Sequence, residues 1–193
     1  PREQLIELIR KNYNHPAVVT WSVGNEIDSY SIFTRKAVKA RDLLKNLNDL
    51  AKQEDPTRPT TFADCCADSP YGGPADAVPL VGTTDVVGYN RYPGWYGMKP
   101  EEMGPELDAL HKRFPTVSMS VSEYGAGGAL TQHSDDPEGG IINAFGRPHP
   151  EEFQSLVHEE NWRQLKARPY LWATWPGTCS TSQAISVWKA MRS

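Results

Sequence analysis

The sequence predicts an α/β fold in which parallel strands alternate with helices. Segments with apolar residues three and four apart alternate with short β-branched and aromatic runs, and Gly, Pro, Asn and Asp punctuate the connections. Such alternation is typical of either an open doubly wound sheet or a barrel. No Gly-x-Gly-x-x-Gly loop follows any predicted strand, which argues against a nucleotide-binding sheet.

The first half of the chain contains two predicted helices and three predicted strands. Residues 3–13 and 31–53 place apolar side chains three and four residues apart, which is the spacing of a helix face that packs on a core. Runs rich in β-branched and aromatic residues over 17–23, 58–63 and 85–90 predict strands. This half therefore reads as helix, strand, helix, strand, connection and strand.

The second half continues the alternation. Residues 99–114 and 151–166 are predicted helices, and residues 116–122 and 170–175 are predicted strands. A long segment rich in Gly, Pro and His over 124–149 predicts a loop. The complete order, α-β-α-β-loop-β-α-β-α-β, contains five strands that helices or long connections separate.

The composition excludes several classes of partner. The 193 residues carry a formal net charge of −4, which gives no basic field for nucleic acid or an anionic membrane. No apolar run approaches the roughly 20 residues that cross a bilayer, and the first residues lack the apolar region of a signal peptide. No Cys-x-x-Cys or His-x-x-x-His spacing suggests a metal site. We therefore expect no metal, no cofactor, no nucleic acid and no membrane partner.

Two carboxylates follow predicted strands at equivalent ends. Glu26 follows the first strand and Glu123 follows the fourth, and functional residues of parallel α/β barrels gather at these carboxyl ends. A glutamate at a strand end is, taken singly, as often a surface carboxylate. Two carboxyl groups that face one pocket suit glycoside hydrolysis, because one protonates the leaving oxygen while the other attacks or supports the anomeric centre.

An aromatic segment strengthens the prediction of a sugar site. Tyr89, Tyr92, Trp95 and Tyr96 follow one another closely, and flat rings with polar tips suit the CH face and hydroxyl groups of a sugar. We expect one or two of these rings to pack the rim of the fold instead. The two glutamates and the aromatic segment together predict a carbohydrate-active site.

Three motifs resemble the family-two glycoside hydrolases, the β-galactosidase and β-glucuronidase group, and they occur in the family's order. They are Asn14-His15-Pro16 leading into Trp21-Ser22-Val23-Gly24-Asn25-Glu26, Asn90-Arg91-Tyr92 with Gly94-Trp95-Tyr96, and Ser122-Glu123-Tyr124-Gly125-Ala126. The resemblance implies a TIM (β/α)8 barrel of which this chain holds strands four to eight. Residues 1–175 would be the carboxyl-terminal part of the catalytic barrel.

The resemblance also implies roles for individual residues. Glu26 would be the general acid/base, Glu123 the nucleophile and Asn25 the contact to the sugar 2-hydroxyl. Tyr92 would donate a hydrogen bond to the nucleophile. The remaining residues implied to shape the sugar site are Asn90, Trp95 and Tyr96.

The implied activity is that of a retaining exo-β-glycosidase acting on a β-linked sugar or oligosaccharide. We expect a β-galactosidase, because the loop segments 127–130, 132–136 and 146–150 look most like those of bacterial β-galactosidases. The alternatives are a β-glucuronidase or β-mannosidase, an endo-acting glycanase of the same barrel type, and a non-catalytic carbohydrate-binding remnant. The sequence leaves open a homo-oligomer of the full-length protein and assigns no compartment.

The resemblance stops after Trp175, and residues 176–193 form a divergent tail. Joining the third base of each codon to the first two bases of the next permits Trp, Asn, Met, Phe, Asp, Phe, Ala and Ser in order, which is the family's segment at this point. We therefore hypothesise that the tail is frame-shifted. The alternative is a genuine tail that forms a short amphipathic helix, and reading the DNA across codons 175–193 decides between them.

The implied barrel lacks its first three strands within these residues. Strand four would then be an open edge with unpaired main-chain N–H and C=O groups. The loops that wall the sugar pocket would be missing as well. We therefore expect the isolated chain to be poorly stable, aggregation-prone and nearly inactive.

Overall fold

The structure is a computed structural model in which two compact units are distinguished. The first unit comprises Pro1–Asn90 and Ala109–Ser120, and the second comprises Arg91–Asp108 and Val121–Ser193. The residues that the structure describes are 1–27, 40–65, 80–138, 144 and 148–177.

Helices and strands alternate along the described residues as the sequence predicts. The helices are α1 (Arg2–Asn12), α2 (Ala40–Glu54), a 3-10 turn (Pro100–Glu102) that leads into α3 (Met103–Arg113), and α4 (Glu151–Lys166). The strands are β1 (Trp21–Asn25), β2 (Thr60–Asp64), β3 (Val86–Asn90), β4 (Ser118–Glu123) and β5 (Leu171–Thr174). Residues 31–39 of the predicted second helix lie outside the described residues.

The strands form a five-stranded sheet in chain order, β1-β2-β3-β4-β5. In the first unit β1 pairs with β2 and β2 with β3, both in parallel. Neighbouring parallel strands need a crossover connection, and α2 supplies it between β1 and β2. The predicted fold class is confirmed: the chain is an α/β protein with five parallel strands, a partial TIM barrel.

The core of the first unit lies between helices α1 and α2 and the strands. Helix α1 packs on α2, and α2 packs on β1 and β2. The apolar spacing that predicts these helices is buried in part: Ile9 of α1 and Leu44 of α2 are fully buried, whereas Leu8 of α1 is 48 % exposed. Phe62 of β2 and Val87 of β3 add almost completely buried side chains from the strands.

A polar network fixes the amino-terminal end of β1 in this unit. Asp55 is fully buried and accepts hydrogen bonds from Trp21 Nε1 at 2.9 Å and from Arg58 Nη1 at 2.6 Å. Burial alone would raise the pKa of Asp55, but these bonds and two from Thr57 outweigh burial and hold that pKa well below its ordinary value. Arg58 Nε also donates to the Val18 carbonyl at 2.8 Å, which ties the segment before β1 to the same network.

The second unit has its own core beneath the aromatic segment. Trp95, Ala126, Phe153 and Val157 form a buried cluster. Gly94 adopts a positive φ of 91°, and a Cβ at this position would lie 2.8 Å from Pro100 and 3.1 Å from Val157, so this turn favours glycine. The turn before Trp95 is therefore set by packing against α4.

Strand β1 starts later than its sequence pattern predicts. Residues 17–23 carry the β-branched pattern, yet the strand is Trp21–Asn25. Val18 and Val19 precede the pairing with β2, because pairing begins where Trp21 N donates to the Pro59 carbonyl at 3.0 Å. The strand therefore reaches Asn25, directly before Glu26.

Two further predictions concern the membrane and the tail. Among the described residues, no helix combines the length and apolar composition needed to cross a bilayer.

Of the predicted tail, Pro176 and Gly177 are described, and Gly177 N donates to the Tyr124 carbonyl at 2.8 Å. Residues 178–193 lie outside the described residues, so the frame-shift hypothesis stays a prediction.

Candidate active site

The predicted site residues fall into two groups, one in each unit. Asn25, Glu26 and Asn90 belong to the first unit. The second unit contains Tyr92, Trp95, Tyr96 and Glu123. In both groups the residues lie at, or directly after, the carboxyl ends of strands, where barrel enzymes place their chemistry.

Glu26 lies at an irregular end of β1. The register between β1 and β2 shifts between Ser22 and Asn25. Glu26 then adopts a φ of 49°, in the left-handed region that a side chain with a Cβ rarely enters, while its N–H donates to the Ala63 carbonyl at 2.9 Å. Such bulges and strained residues redirect a side chain from the sheet, and their energetic cost is typical of functional positions.

Asn90 orients the side chains of Asn25 and Glu26. Its amide Nδ2 donates to Glu26 Oε1 at 2.8 Å and to Asn25 Oδ1 at 3.1 Å. Asn90 is buried, Glu26 is half-buried and Asn25 is exposed. A buried amide thus holds the carboxyl group of Glu26 in one orientation while that group keeps access to solvent, which suits repeated proton exchange with a ligand.

Glu123 is the last residue of β4 and is held by Tyr92. The Tyr92 hydroxyl donates to Glu123 Oε2 at 2.6 Å. The Glu123 carbonyl accepts from Arg91 N at 2.9 Å, so both the main chain and the side chain of Glu123 are fixed by consecutive residues after β3. A short hydrogen bond to a carboxylate is stronger than one between neutral groups and orients the second oxygen.

The aromatic residues divide into buried and accessible rings. Trp95 is 6 % exposed and lies in the cluster with Phe153 and Val157, so core packing accounts for it. Tyr96 is 59 % exposed and stands edge-on to Tyr92 at 5.2 Å between ring centroids. Tyr96 is therefore the accessible ring of the pair, and a role of Trp95 in sugar binding stays a prediction.

A buried ion pair between Arg91, of the Asn90-Arg91-Tyr92 motif, and Glu106 was not predicted from the sequence. Arg91 and Glu106 are both almost fully buried, and Arg91 Nε lies 2.8 Å from Glu106 Oε1. Removing one partner of such a pair leaves an uncompensated buried charge. The signal was present, since Arg91 is a charged residue between two predicted site residues and needs a partner once the strand end is buried.

One group of side chains in the described residues has the composition of a metal site. The potential ligand atoms of His133, Glu151 and Glu152 lie within 4.8 Å of one another. His133 Nδ1 is 2.9 Å from Glu152 Oε1, and this hydrogen bond raises the pKa of His133 and lowers the pKa of Glu152. The geometry is that of an ion pair.

A comparison with models of protein families identifies the family to which the chain belongs. Residues 2–134 match the model of the TIM barrel domain of glycosyl hydrolases family 2. The chain belongs to this family. The resemblance that the three motifs indicate is thereby confirmed, and the family's catalytic barrel accounts for the order of the five strands.

Several relatives of this family 2 chain are β-glucuronidases. A β-glucuronidase of Bacteroides fragilis is 39 % identical over 173 residues, which are 90 % of this chain and 22 % of that protein. The solved FMN-binding β-glucuronidase from Facaelibacterium prausnitzii is 35 % identical with a TM-score of 0.74 over 91 % of this chain and 25 % of that one. A Bacteroides fragilis structure provisionally assigned as a β-galactosidase is 32 % identical with a TM-score of 0.73 over 91 % and 24 %. The chain therefore spans a quarter or less of these relatives.

The relatives change the expected substrate. They support the β-glucuronidase alternative better than the β-galactosidase that loop similarity predicts. Loops tolerate sequence change more readily than the elements they connect, so similarity over 127–150 is a weak guide to the sugar. The family match ends at residue 134, within that same loop.

Proposed function

We propose that the complete protein carrying this chain is a retaining β-glycosidase that hydrolyses β-glucuronides. The observation that carries the proposal is the carboxylate of Glu123 at the end of β4, held by the 2.6 Å hydrogen bond from Tyr92. A carboxylate oriented in this way is suited to attack at an anomeric carbon. The relatives named as β-glucuronidases support the choice of sugar.

In the proposed mechanism the two glutamates have different roles. The Glu123 carboxylate attacks the anomeric carbon and forms a covalent glycosyl ester, while the Glu26 carboxyl group protonates the departing glycosidic oxygen. Glu26 then removes a proton from water, which attacks the same carbon and releases Glu123. Two displacements at one carbon retain the β configuration.

Neighbouring residues support these two roles in the proposal. Asn90 holds Glu26 through its amide nitrogen, and Tyr92 holds Glu123 through its hydroxyl. Asn25 is exposed beside Glu26 and would contact the sugar 2-hydroxyl. Tyr96 offers an accessible ring for the CH face of the sugar. Each of these contacts orients a reacting group, and such orientation supplies part of the rate enhancement.

Covalent trapping tests the proposed nucleophile. The complete protein would be incubated with an aziridine cyclitol of glucuronic acid configuration, which alkylates the nucleophile of a retaining enzyme. We expect one equivalent of label on the peptide that contains Glu123, seen by mass spectrometry, and no label on Glu123→Gln. Labelling of another residue, or equal labelling of the variant, would contradict the assignment.

A panel of nitrophenyl glycosides tests the substrate. We expect the β-glucuronide to have the highest kcat/KM. A second candidate is β-galactosidase activity, which the provisionally assigned Bacteroides fragilis structure favours. Faster hydrolysis of the β-galactoside would replace the first proposal by the second. Sugar binding without turnover of any substrate would instead indicate the non-catalytic remnant.

A further inference from the structure

Helix α4 carries a buried imidazole on the face that packs against the segment after Glu123. His158 is 6 % exposed, and its Nε2 lies 3.3 Å from the Ala126 nitrogen and 3.2 Å from the Ala126 oxygen. The His158 ring is tilted against the ring of Tyr124 at 6.1 Å between centroids. The residue therefore contacts the main chain three positions beyond the proposed nucleophile.

The partners of Ala126 define the protonation state of this ring. Gln154 Nε2 already donates to the Ala126 oxygen at 2.9 Å. Within the described residues, His158 Nε2 is the acceptor that the buried Ala126 N–H meets. A carbonyl oxygen can accept two hydrogen bonds, so Nε2 has two candidate partners on Ala126. The need of the buried Ala126 N–H for an acceptor favours the tautomer in which Nε2 accepts and Nδ1 carries the proton. Burial lowers the pKa of His158, in agreement with a neutral ring.

Gly125 allows the ring to lie this close. Gly125 has a φ of 117°, in the region that favours glycine, and a Cβ there would overlap the imidazole of His158. A glycine between Tyr124 and Ala126 also leaves the turn flexible unless other contacts fix it. The contact from His158 to Ala126 N and that from Gln154 to Ala126 O supply the restraint.

Stability alone is a poor explanation for a histidine at this position. In the described part of the chain, His158 Nδ1 has no hydrogen-bond partner, and neither polar atom of the fully buried Asn161 has one. An unpaired buried polar group destabilises the folded state, and an apolar residue would avoid that cost. A buried polar group that weakens the fold in this way is typical of a functional position.

We propose that His158 is a positioning residue that fixes the turn after the nucleophile by accepting the Ala126 N–H. This inference rests on the function proposed above. The main chain around Glu123 is held at Glu123 O by Arg91 N, at Tyr124 O by Gly177 N and at Ala126 by His158 and Gln154. Loss of the His158 contact frees the Ala126 N–H while Gln154 still holds the Ala126 oxygen. The turn through Gly125 then gains freedom, and the carboxylate of Glu123 moves with it relative to Tyr92. A displacement of about 1 Å at a reacting group can cost about 100-fold in rate.

Three variants at one position separate the hydrogen bond from packing. In His158→Gln the amide oxygen reaches the place of Nε2, in His158→Asn the shorter amide reaches only the place of Nδ1, and His158→Leu fills the space without an acceptor. In the complete protein we expect kcat to fall about tenfold or more in the Asn and Leu variants, with KM changed less than about twofold, and to stay within about threefold in the Gln variant.

Hydrogen exchange of the peptide that contains residues 124–126 is measured in the same proteins. We expect faster exchange in the Leu and Asn variants and protection in the Gln variant. If His158→Leu keeps both its kcat and its protection, or if Gln behaves as Leu does, the positioning role is overturned. Full activity of His158→Leu beside an inactive Glu123→Gln would overturn this inference alone. An inactive wild-type protein would overturn the proposed function and the positioning role with it.

Discussion

Two carboxylates at opposite ends of the strands in the first unit have opposite surroundings. Asp55, beside the amino-terminal end of β1, is fully buried and accepts hydrogen bonds from Trp21, Thr57 and Arg58. Glu26, after the carboxyl end of β1, is half-buried, has a φ of 49° and is oriented by one buried amide. The first arrangement stabilises the fold, whereas the second keeps a group accessible at an energetic cost.

The second unit repeats this contrast in position but not in burial, because the Asp108 side chain is 53 % exposed. Asp108, on α3, accepts hydrogen bonds from Arg168 Nη2 at 2.7 Å and from the Tyr170 hydroxyl at 2.6 Å. Tyr170 is the residue directly before β5. Glu123, at the carboxyl end of β4, accepts a hydrogen bond from the Tyr92 hydroxyl. In each unit, the carboxylate near the amino-terminal end of a strand links neighbouring segments of the fold. The carboxylate at the carboxyl end of a strand is instead available for chemistry.

The largest expected effect comes from Glu123→Gln. The variant keeps the shape of the side chain and removes the proposed nucleophile, so we expect kcat to fall at least about 10³-fold, which is about 4 kcal/mol in transition-state stabilisation. Steady-state hydrolysis of the nitrophenyl β-glucuronide by the complete protein measures it. Asp108→Asn is the matched control, with activity near wild type after correction for folded fraction. Equal losses of activity in Glu123→Gln and Asp108→Asn would contradict the different roles given to these two carboxylates.

The next effect is on stability and comes from Asp55→Ala. The change leaves Arg58 without its buried partner and Trp21 Nε1 without its acceptor. We expect the free energy of unfolding to fall by about 2–3 kcal/mol, below the upper range for buried pairs because Arg58 also donates to the Val18 carbonyl. Urea unfolding followed by tryptophan fluorescence measures it, with Glu26→Ala as the control. A larger loss in the control would contradict the assigned roles.

The same carboxylate predicts a dependence of stability on pH. The pKa of Asp55 is lower in the folded protein than its ordinary value of 3.8. Its stabilising contribution is therefore present above about pH 4 and is lost as the pH falls toward the folded-state pKa. The unfolding free energies of wild type and Asp55→Ala should converge on acidification. A constant difference down to pH 2 would argue against this carboxylate as the source.

A smaller effect on activity is expected from Tyr92→Phe. The variant removes the hydroxyl that donates to Glu123 at 2.6 Å and leaves the ring that Tyr96 contacts. A hydrogen bond to a charged group contributes about 1.5–3 kcal/mol, so we expect kcat/KM to fall about 10- to 100-fold. Tyr96→Phe is the control, because it retains an accessible ring, and we expect it to change KM more than kcat. An unchanged Tyr92→Phe enzyme would show that Glu123 is oriented by other contacts.

The sequence was a good guide to the elements and a weaker guide to their ends. Apolar spacing predicts α4 over 151–166, and the structure has Glu151–Lys166. The same reasoning places the first strand at 17–23, because Val18 and Val19 favour strands, although pairing with β2 begins at Trp21. Pairing partners come from distant parts of the chain, and a local pattern cannot fix them.

Strand-end motifs placed Glu26 and Glu123 without the structure, but they could not distinguish a contact from packing. Trp95 and Tyr96 look alike in the sequence, yet one is buried against Val157 and the other is exposed. His158 lies in a helical pattern where a core residue is expected, so its bond to Ala126 was invisible. The family assignment was confirmed, whereas the choice of sugar rested on a loop and was the weaker inference.

The smallest expected effect is on thermal stability and comes from the exposed pair of His133 and Glu152. Glu152 is a carboxylate in the first turn of α4 rather than at a strand end. The hydrogen bond between them raises the pKa of His133 from 6.5 and lowers the pKa of Glu152 from 4.5. The Glu152 contribution is present above about pH 4.5 and is lost as the pH falls through its lowered pKa. The His133 contribution is present below about pH 6.5 and is lost as the pH rises through its raised pKa.

The pair therefore stabilises the fold most between those limits. Thermal unfolding of wild type and His133→Gln from pH 4 to 9 should show a small difference in Tm that is largest near pH 5–6 and disappears in alkaline solution. Added salt should reduce it, since both groups are exposed. Glu159→Gln, an exposed change on the same helix, should show no such maximum. A difference as large as that of Asp55→Ala would contradict the small contribution expected of an exposed pair.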